Sequence, residues 1–377
     1  MERRDARGRA DPPSAERRFV RRCVTPLHVA LVAPPWYPVP PHGYGGIELV
    51  VSLLDRELRR QGHHVSVLAA EGSPGAVVCA PRGWHQDLGA QQQGVREATY
   101  ASRVLRAIAS LGTVDVVHDH AAAATLVTLA AGTSTPVVHT VHGPLLSAER
   151  AFYSELGGRV GLVAISESQR NSAPNLNWIG RVFNAVDVDD LEVCARSEKE
   201  PYLLCLARIC EDKGQHIAIE VARRAGVRLV LAGKIEATAA GNRYFDRAVA
   251  PHIDGLHVVH VPNAFGSEKR RLLSRATALL APLQWDEPFG LATVEAMASG
   301  TPAIASRRGA APELIDPGVT GFLVADVEEM VTAVRESHRI DPLRCAEVTR
   351  KRFNAAAMAT GYLSLYERVA RLSSAVA

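Results

Sequence analysis

In the run WDEPFGLATVEAMASGTP (285–302), two carboxylates, Glu287 and Glu295, bracket a segment that is otherwise small and apolar. Pro288 suits the first turn of a helix, the pattern from Gly290 to Ser299 is helix-compatible, and Gly300 with Pro302 ends it. Glu287 is then expected at the helix entrance, beside the free N–H groups of Phe289, Gly290 and Leu291. Eight residues at ~1.5 Å rise place the two carboxylates at most ~12 Å apart. That exceeds the ~5 Å of a retaining glycosidase pair and the ~6.5–9.5 Å of an inverting one. The spacing suits one extended ligand touched at two places. Carboxylates accept hydrogen bonds from hydroxyls, so a sugar at one end and a ribose at the other fit, with a diphosphate at the helix N-terminus between them. Taken singly, each glutamate reads equally well as a helix cap or part of a solvated helix face.

Lysine is rare: only Lys199, Lys213, Lys234, Lys269 and Lys351 stand among 43 basic residues. In ARICEDKG (207–214), Arg208 at a strand end and Lys213 just before a helix could reach one diphosphate, stabilising the charge that grows on a departing nucleoside diphosphate. The alternative is a solvated loop with Lys213 paired to Glu211 or Asp212. The loop PHGYGGIE (41–48) sets Gly43, Gly45 and Gly46 before a helix, where bare N–H groups can receive an anion or the glycines serve only a tight turn. Its spacing is not that of a dinucleotide fingerprint. His118, His120, His139 and His142 cluster at two strand ends. His142 is the one expected to act, His118 and His139 are expected as structural partners, and His120 is open between the two roles.

Positioning such groups requires strand ends. LHVALVAP (27–34), HVSVLAA (64–70), VDVVHDH (114–120), TPVVHTVHG (135–143) and GLVAIS (161–166) read as strands with helical or mixed sequence between them. After a charged stretch, 187–201, the pattern repeats in YLLCLARI (202–209), VRLVLAG (227–233), LHVVHVP (256–262), TALLAPL (277–283), TPAIAS (301–306) and GFLVAD (321–326). Two doubly wound α/β halves follow, with ligands beyond the carboxyl ends of the strands. At 377 residues the chain exceeds one comfortable core. The expected division is a basic tail over 1–25, an N-terminal domain over 26–195, and a C-terminal domain over 196–356. A last helix near 357–377 is expected to pack back on the first domain.

A formal charge of +3 gives no reason to invoke nucleic acid as a partner. The arginine-rich residues 1–22 lack an apolar core and read as a solvated, disordered tail rather than a signal peptide. No apolar run reaches the ~20 residues of a transmembrane helix, so membrane contact is expected to be peripheral at most. Six scattered cysteines without metal-ligand spacing point to reduced thiols in a cytoplasmic enzyme and to no metal site.

The glutamate run resembles the signature of the retaining glycosyltransferases of family 4, which have the GT-B fold of two facing Rossmann-like domains. GYGGIELVVSLLDRELRRQGHHVSVL, VDVVHDH, VVHTVHG, VFNAVD, RICEDKG, LVLAG and PELIDPGVTGFLV agree in order, over about 27–370. PPHGYGGIELVV with the later LAGK further resembles a subgroup that includes a glycosyltransferase of avilamycin biosynthesis. The resemblance implies that Glu287 binds donor-sugar hydroxyls, that Glu295 binds ribose, and that the backbone at Phe289, Gly290 and Leu291 meets phosphate and sugar. It implies diphosphate cations at Arg208 and Lys213, a histidine near the reacting carbon at His142, and glycines beside diphosphate and acceptor at Gly45 and Gly46. His120 and Asn184 are further positions it touches.

The activity so implied is metal-independent, front-face transfer of a sugar from a nucleoside diphosphate sugar, UDP-sugar in the first instance, to a hydroxyl acceptor, with no cofactor. An epimerase of the same architecture and a sugar-nucleotide binding protein are the rival readings. Ala185 and Ala207 stand where the family usually has Gly, and Pro262 stands where Gly is expected near the base, which leaves the base open. The acceptor surface is expected at Trp36–Tyr44 and 144–157. Arginine-rich usage points to a GC-rich bacterial genome, with a natural product or cell-surface glycan as acceptor.

Overall fold

The structure, a computed structural model, describes residues 26–87 and 91–374; the expected tail at 1–25 lies outside the described residues. Among the described residues, thirteen strands form two all-parallel sheets. The first contains β1 (His28–Val32), β2 (His64–Ala70), β3 (Val77–Ala80), β4 (Val116–Asp119), β5 (Val137–Thr140), β6 (Val160–Ala164) and β7 (Trp178–Arg181), in the order β3-β2-β1-β4-β5-β6-β7. The second contains β8 (Tyr202–Leu206), β9 (Arg228–Ala232), β10 (Val258–Val261), β11 (Ala278–Ala281), β12 (Ala303–Ser306) and β13 (Gly321–Val324), in the order β10-β9-β8-β11-β12-β13. Each sheet reverses its strand order beside its first strand, which opens a crevice at the carboxyl edge there.

Parallel strands covered on both faces must be apolar along their buried length, and β1 after His28 and the whole of β8 are. Val29–Val32 are fully buried, and Tyr202–Cys205 nearly so. The helix Gly46–Arg60 turns Val50, Val51, Leu53, Leu54 and Leu58 onto the first sheet while its arginines face out. Each such side chain contributes about 1.5–3 kcal/mol by leaving water.

β3 and β7 were not expected from the sequence, and they are the two edges of the first sheet. VVCA and WIGR are short and only partly buried, so neither carries the continuous apolar run of a central strand. The chain returns to the first sheet at its end. The helix Ala355–Ser374 places Met358, Tyr362, Leu365 and Tyr366 in one core with Val29, Leu54 and Val138. No helix among the described residues is long and apolar enough to cross a membrane.

Candidate active site

A cavity of about 670 Å³ lies between the two sheets, walled by Gly46, Glu48, His120, His142 and Asn184 on one side and Arg208, Lys213, Glu287 and Phe289–Thr293 on the other. Two helix N-termini meet there. The helix Gly46–Arg60 begins at the first wall and the helix Leu291–Ala298 at the second. A Cβ added at Gly46 would lie 3.0 Å from the Leu291 Cδ1, so a glycine there lets the two helix entrances approach. Their unpaired N–H groups put partial positive charge on the cavity from both sides.

The second helix starts later than the sequence suggests. Gly290, with φ of +100°, is its N-cap, and Leu291 is its first residue, so Pro288 precedes the first turn rather than occupying it. The left-handed backbone at Gly290 breaks the run and resets the helix start. Glu287 is positioned from behind by the turn at 309–310. Its carbonyl accepts from the Ala310 N–H at 2.9 Å, and Gly309, with φ of +55°, packs so closely that a Cβ would lie 2.5 Å from the Glu287 nitrogen.

Both expected cations line the cavity, and each holds a carboxylate. The Lys213 ammonium pairs with Glu287 and lies 4.7 Å from the centre of the Trp285 ring; the Arg208 guanidinium pairs with Glu236. Lys213 thus forms no ion pair with Glu211 or Asp212. Glu295 lies elsewhere. It is buried, accepts from the Lys269 ammonium at 2.7 Å, and borders a second cavity of about 360 Å³ with Phe265 and Leu273. The two glutamates therefore border separate cavities whose linings draw on adjoining parts of one loop, Tyr44 and Gly46 in the first and His42 and Gly43 in the second.

The histidines divide by their hydrogen-bond partners. His118 is sealed between the Tyr366 hydroxyl (2.6 Å) and the Thr140 hydroxyl (2.8 Å). His139 bonds Asp119 at 2.6 Å and the Tyr153 hydroxyl at 3.1 Å. His120 Nδ1 and His142 Nε2 share a hydrogen bond of 2.8 Å at the cavity wall. Burial pushes His142 down to about 3 and holds His118 and His120 well below the ordinary imidazole range, so all three are neutral at neutral pH. His120 Nε2 and Asn184 Oδ1 are buried without a protein partner, leaving two polar atoms in cavity-lining residues free to bond a ligand.

Ala185 and Ala207 cause no strain. Asn263 is the one non-glycine with positive φ among the described residues. Among those residues no group of three or more His, Cys, Asp or Glu could hold a metal ion, and Cys79, Cys194, Cys205, Cys210 and Cys345 are free and buried.

Three features were missed in the sequence, two of them cavity-lining residues. Glu48 is a buried carboxyl in the first helical turn, bonded by the backbone N–H groups of Tyr37 and of Glu48 itself, and pushed up to about 7 by burial. A carboxylate inside the apolar run GGIELVV was its signal. Lys269 carried the signal applied to Lys213, a lysine retained among arginines. Glu313 crosses between the halves, accepting from the backbone N–H groups of Glu167 and Ser168 at 2.7 Å each. Nothing local in the sequence announces that pairing.

Two family models match in succession: "Glycosyltransferase Family 4" over residues 44–189 and "Glycosyl transferases group 1" over 189–351. The crystal structure of AviGT4, described as a glycosyltransferase involved in avilamycin A biosynthesis, superimposes with a TM-score of 0.71 at 28% identity, covering 92% of this chain and 98% of that one. A phosphatidyl-myo-inositol mannosyltransferase of Mycolicibacterium smegmatis is 24% identical over 91% of this chain and 94% of its own length. An uncharacterised 41.2 kDa protein of the cps region of Klebsiella pneumoniae is 28% identical over 51% of this chain. The chain spans about half the length of the first curated relatives it matches, 55% and 40% for the first two.

Proposed function

Because the chain belongs to the family 4 glycosyltransferases of the GT-B fold, we propose that it transfers a sugar, with retention, from a nucleoside diphosphate sugar to a hydroxyl acceptor. The observation that carries this reading is the placement of Lys213, Arg208 and Glu287 at facing helix N-termini in one interdomain cavity, with Glu295 in the adjoining compartment.

The diphosphate lies at the N-terminus of the helix Leu291–Ala298, against the N–H groups near Phe289, Gly290 and Leu291. There Lys213 and Arg208 exchange their carboxylate partners for phosphate oxygens. Freed from Lys213, Glu287 accepts hydrogen bonds from donor-sugar hydroxyls, and Glu295 does the same for the ribose. The acceptor enters along the wall formed by Trp36, Tyr37, Glu48 and His142. Its hydroxyl oxygen bonds the anomeric carbon on the face from which the diphosphate departs, and its proton passes to the leaving phosphate oxygen. Negative charge grows on that diphosphate, and the two cations, already on its oxygens once the donor is bound, stabilise it with two helix ends and no further rearrangement. Neutral His142 is suited to hydrogen bonding at the sugar rather than to adding a third positive charge.

Incubation with UDP-, ADP- and GDP-sugars, without acceptor, tests the reading. Slow release of nucleoside diphosphate from one of them, with the released sugar first appearing in the donor's anomeric configuration, is expected. Conversion of the sugar without release of the diphosphate would indicate epimerisation instead.

A further inference from the structure

A third cavity, of about 320 Å³, opens beside the interdomain one and shares Trp36, Tyr37 and Tyr44 with it. It is built from the segments that follow β1, β2 and β3, so it continues the carboxyl edge of the first sheet outward. Strands stand ~4.8 Å apart, so its far side lies about 10 Å from the end of β1, a distance that a disaccharide spans.

Its floor is fixed. The Ser73 hydroxyl donates to the Ala70 carbonyl at 2.7 Å and accepts from the Val39 N–H at 2.8 Å, tying the loop after β1 to the end of β2. The Glu71 carboxylate accepts from the Arg82 N–H at 3.1 Å, tying the loops after β2 and β3. Aromatic rings make one part of the lining. Tyr37 stacks on His85 with centroids 5.4 Å apart and meets the Tyr44 ring at 5.8 Å, while Tyr44 remains 51% exposed. Polar groups make the rest: Glu71, Arg82, His42 and His85.

We propose that this cavity is a subsite for a pyranose ring of the acceptor, which makes the acceptor a saccharide or glycoside rather than a bare aglycone. The proposal rests on the glycosyl-transfer reading and names the acceptor class for it. A pyranose carries C–H groups on its faces and hydroxyls around its rim. The C–H faces match the ring faces of Tyr37 and Tyr44 that are not taken by His85 and by the Lys234 ammonium, which lies 3.7 Å from the Tyr44 ring centre. Each hydroxyl both donates and accepts, which matches an acceptor at Glu71, a donor at Arg82, and imidazoles that do either. A planar aromatic aglycone would stack on the same rings but would desolvate charged groups without bonding them. The size also agrees, since 320 Å³ is near the lower end of small-molecule sites and takes one ring rather than a chain.

The test is saturation-transfer NMR on the full chain with UDP present to occupy the donor side. The probes are methyl α- and β-glycosides of glucose, galactose, mannose, rhamnose and xylose, with 2-naphthol as the planar aromatic. Binding of at least one glycoside is expected, weakened roughly tenfold or more in Arg82→Ala, the scale of one lost hydrogen bond to a charged group, and roughly threefold to tenfold in His85→Ala, the scale of a neutral one. UDP affinity in both variants should stay within about twofold of wild type, which also reports that they fold; loss of UDP affinity in both would overturn the inference, because a subsite confined to the acceptor does not hold the donor. No glycoside binding by the wild-type protein, glycoside binding unaffected by these substitutions, or binding of naphthol alone would overturn it. Failure of UDP, ADP and GDP to bind would count against the donor reading and leave the glycoside result to stand by itself.

Discussion

Glu48 makes the stability of this protein depend on pH in a direction opposite to that of most carboxylates. It is 4% exposed, and its nearest polar support is two backbone N–H groups rather than a cation. Burial raises it from 4.5 to about 7. A carboxyl raised on folding contributes its stability fully below the unfolded pKa and loses it as pH rises through the folded one. At ~1.36 kcal/mol per unit, the penalty of holding Glu48 in the folded protein grows from roughly 1 kcal/mol at pH 5 to about 3 kcal/mol at pH 8.5. Glu48→Gln keeps the shape and removes the titration. Relative to wild type, the variant should therefore gain about 2–3 kcal/mol between those pH values, read by urea unfolding at each. His118, His120 and His142 are held low, so their contribution is present above about 6.5 and falls away below it. That change occurs in both proteins and cancels in the difference. A difference that stays constant from pH 5 to 8.5, or that moves toward wild type, would refute the reasoning.

Lys213→Ala should lower turnover by roughly 10²-fold or more, the scale of losing one group that stabilises leaving-group charge, and unchanged nucleotide release would remove Lys213 from the diphosphate. EDTA should leave the rate almost unchanged; a strict Mg²⁺ requirement would contradict the role given to Lys213 and Arg208. Gly309→Ala forces a Cβ onto the Glu287 backbone and a left-handed angle on alanine, so it should cost about 1–3 kcal/mol and impair transfer, and a fully stable, active variant would show that Glu287 is not positioned from there. Glu313→Ala should cost about 1–2 kcal/mol by leaving the N–H groups of Glu167 and Ser168 unpaired; thermal unfolding identical to wild type would deny that this contact holds the two halves together.

Central strands were legible because burial on both faces demands an unbroken apolar run, as in LHVALVAP and YLLCLARI. The edge strands VVCA and WIGR were not, since an edge needs no such run. Spacing made the grouping of Arg208, Lys213 and Glu287 in one cavity legible, though Glu295 borders another. What each of those groups bonds was not. Lys213 holds Glu287 across 74 residues, and Lys269 holds Glu295 across 26. Such pairs depend on which helix ends the two sheets bring face to face, and that is a property of the fold rather than of any one segment. The cavity beyond β2 and β3 was hidden for the same reason, because Tyr37, Glu71 and His85 meet only once three strands are aligned.

The central claim is that one nucleoside diphosphate sugar spans two compartments, its ribose at Glu295 and its sugar at Glu287. Calorimetric titration of UDP, with ADP and GDP beside it, into wild type, Glu295→Ala and Glu287→Ala tests this most directly. Ribose is present in the diphosphate alone, so Glu295→Ala should weaken it by ~1.5–3 kcal/mol, the usual worth of a hydrogen bond to a charged group. The sugar is absent from it, and loss of Glu287 frees Lys213 for phosphate, so Glu287→Ala should bind the diphosphate as tightly as wild type or more tightly while losing transfer. Equal losses in the two variants would contradict the account.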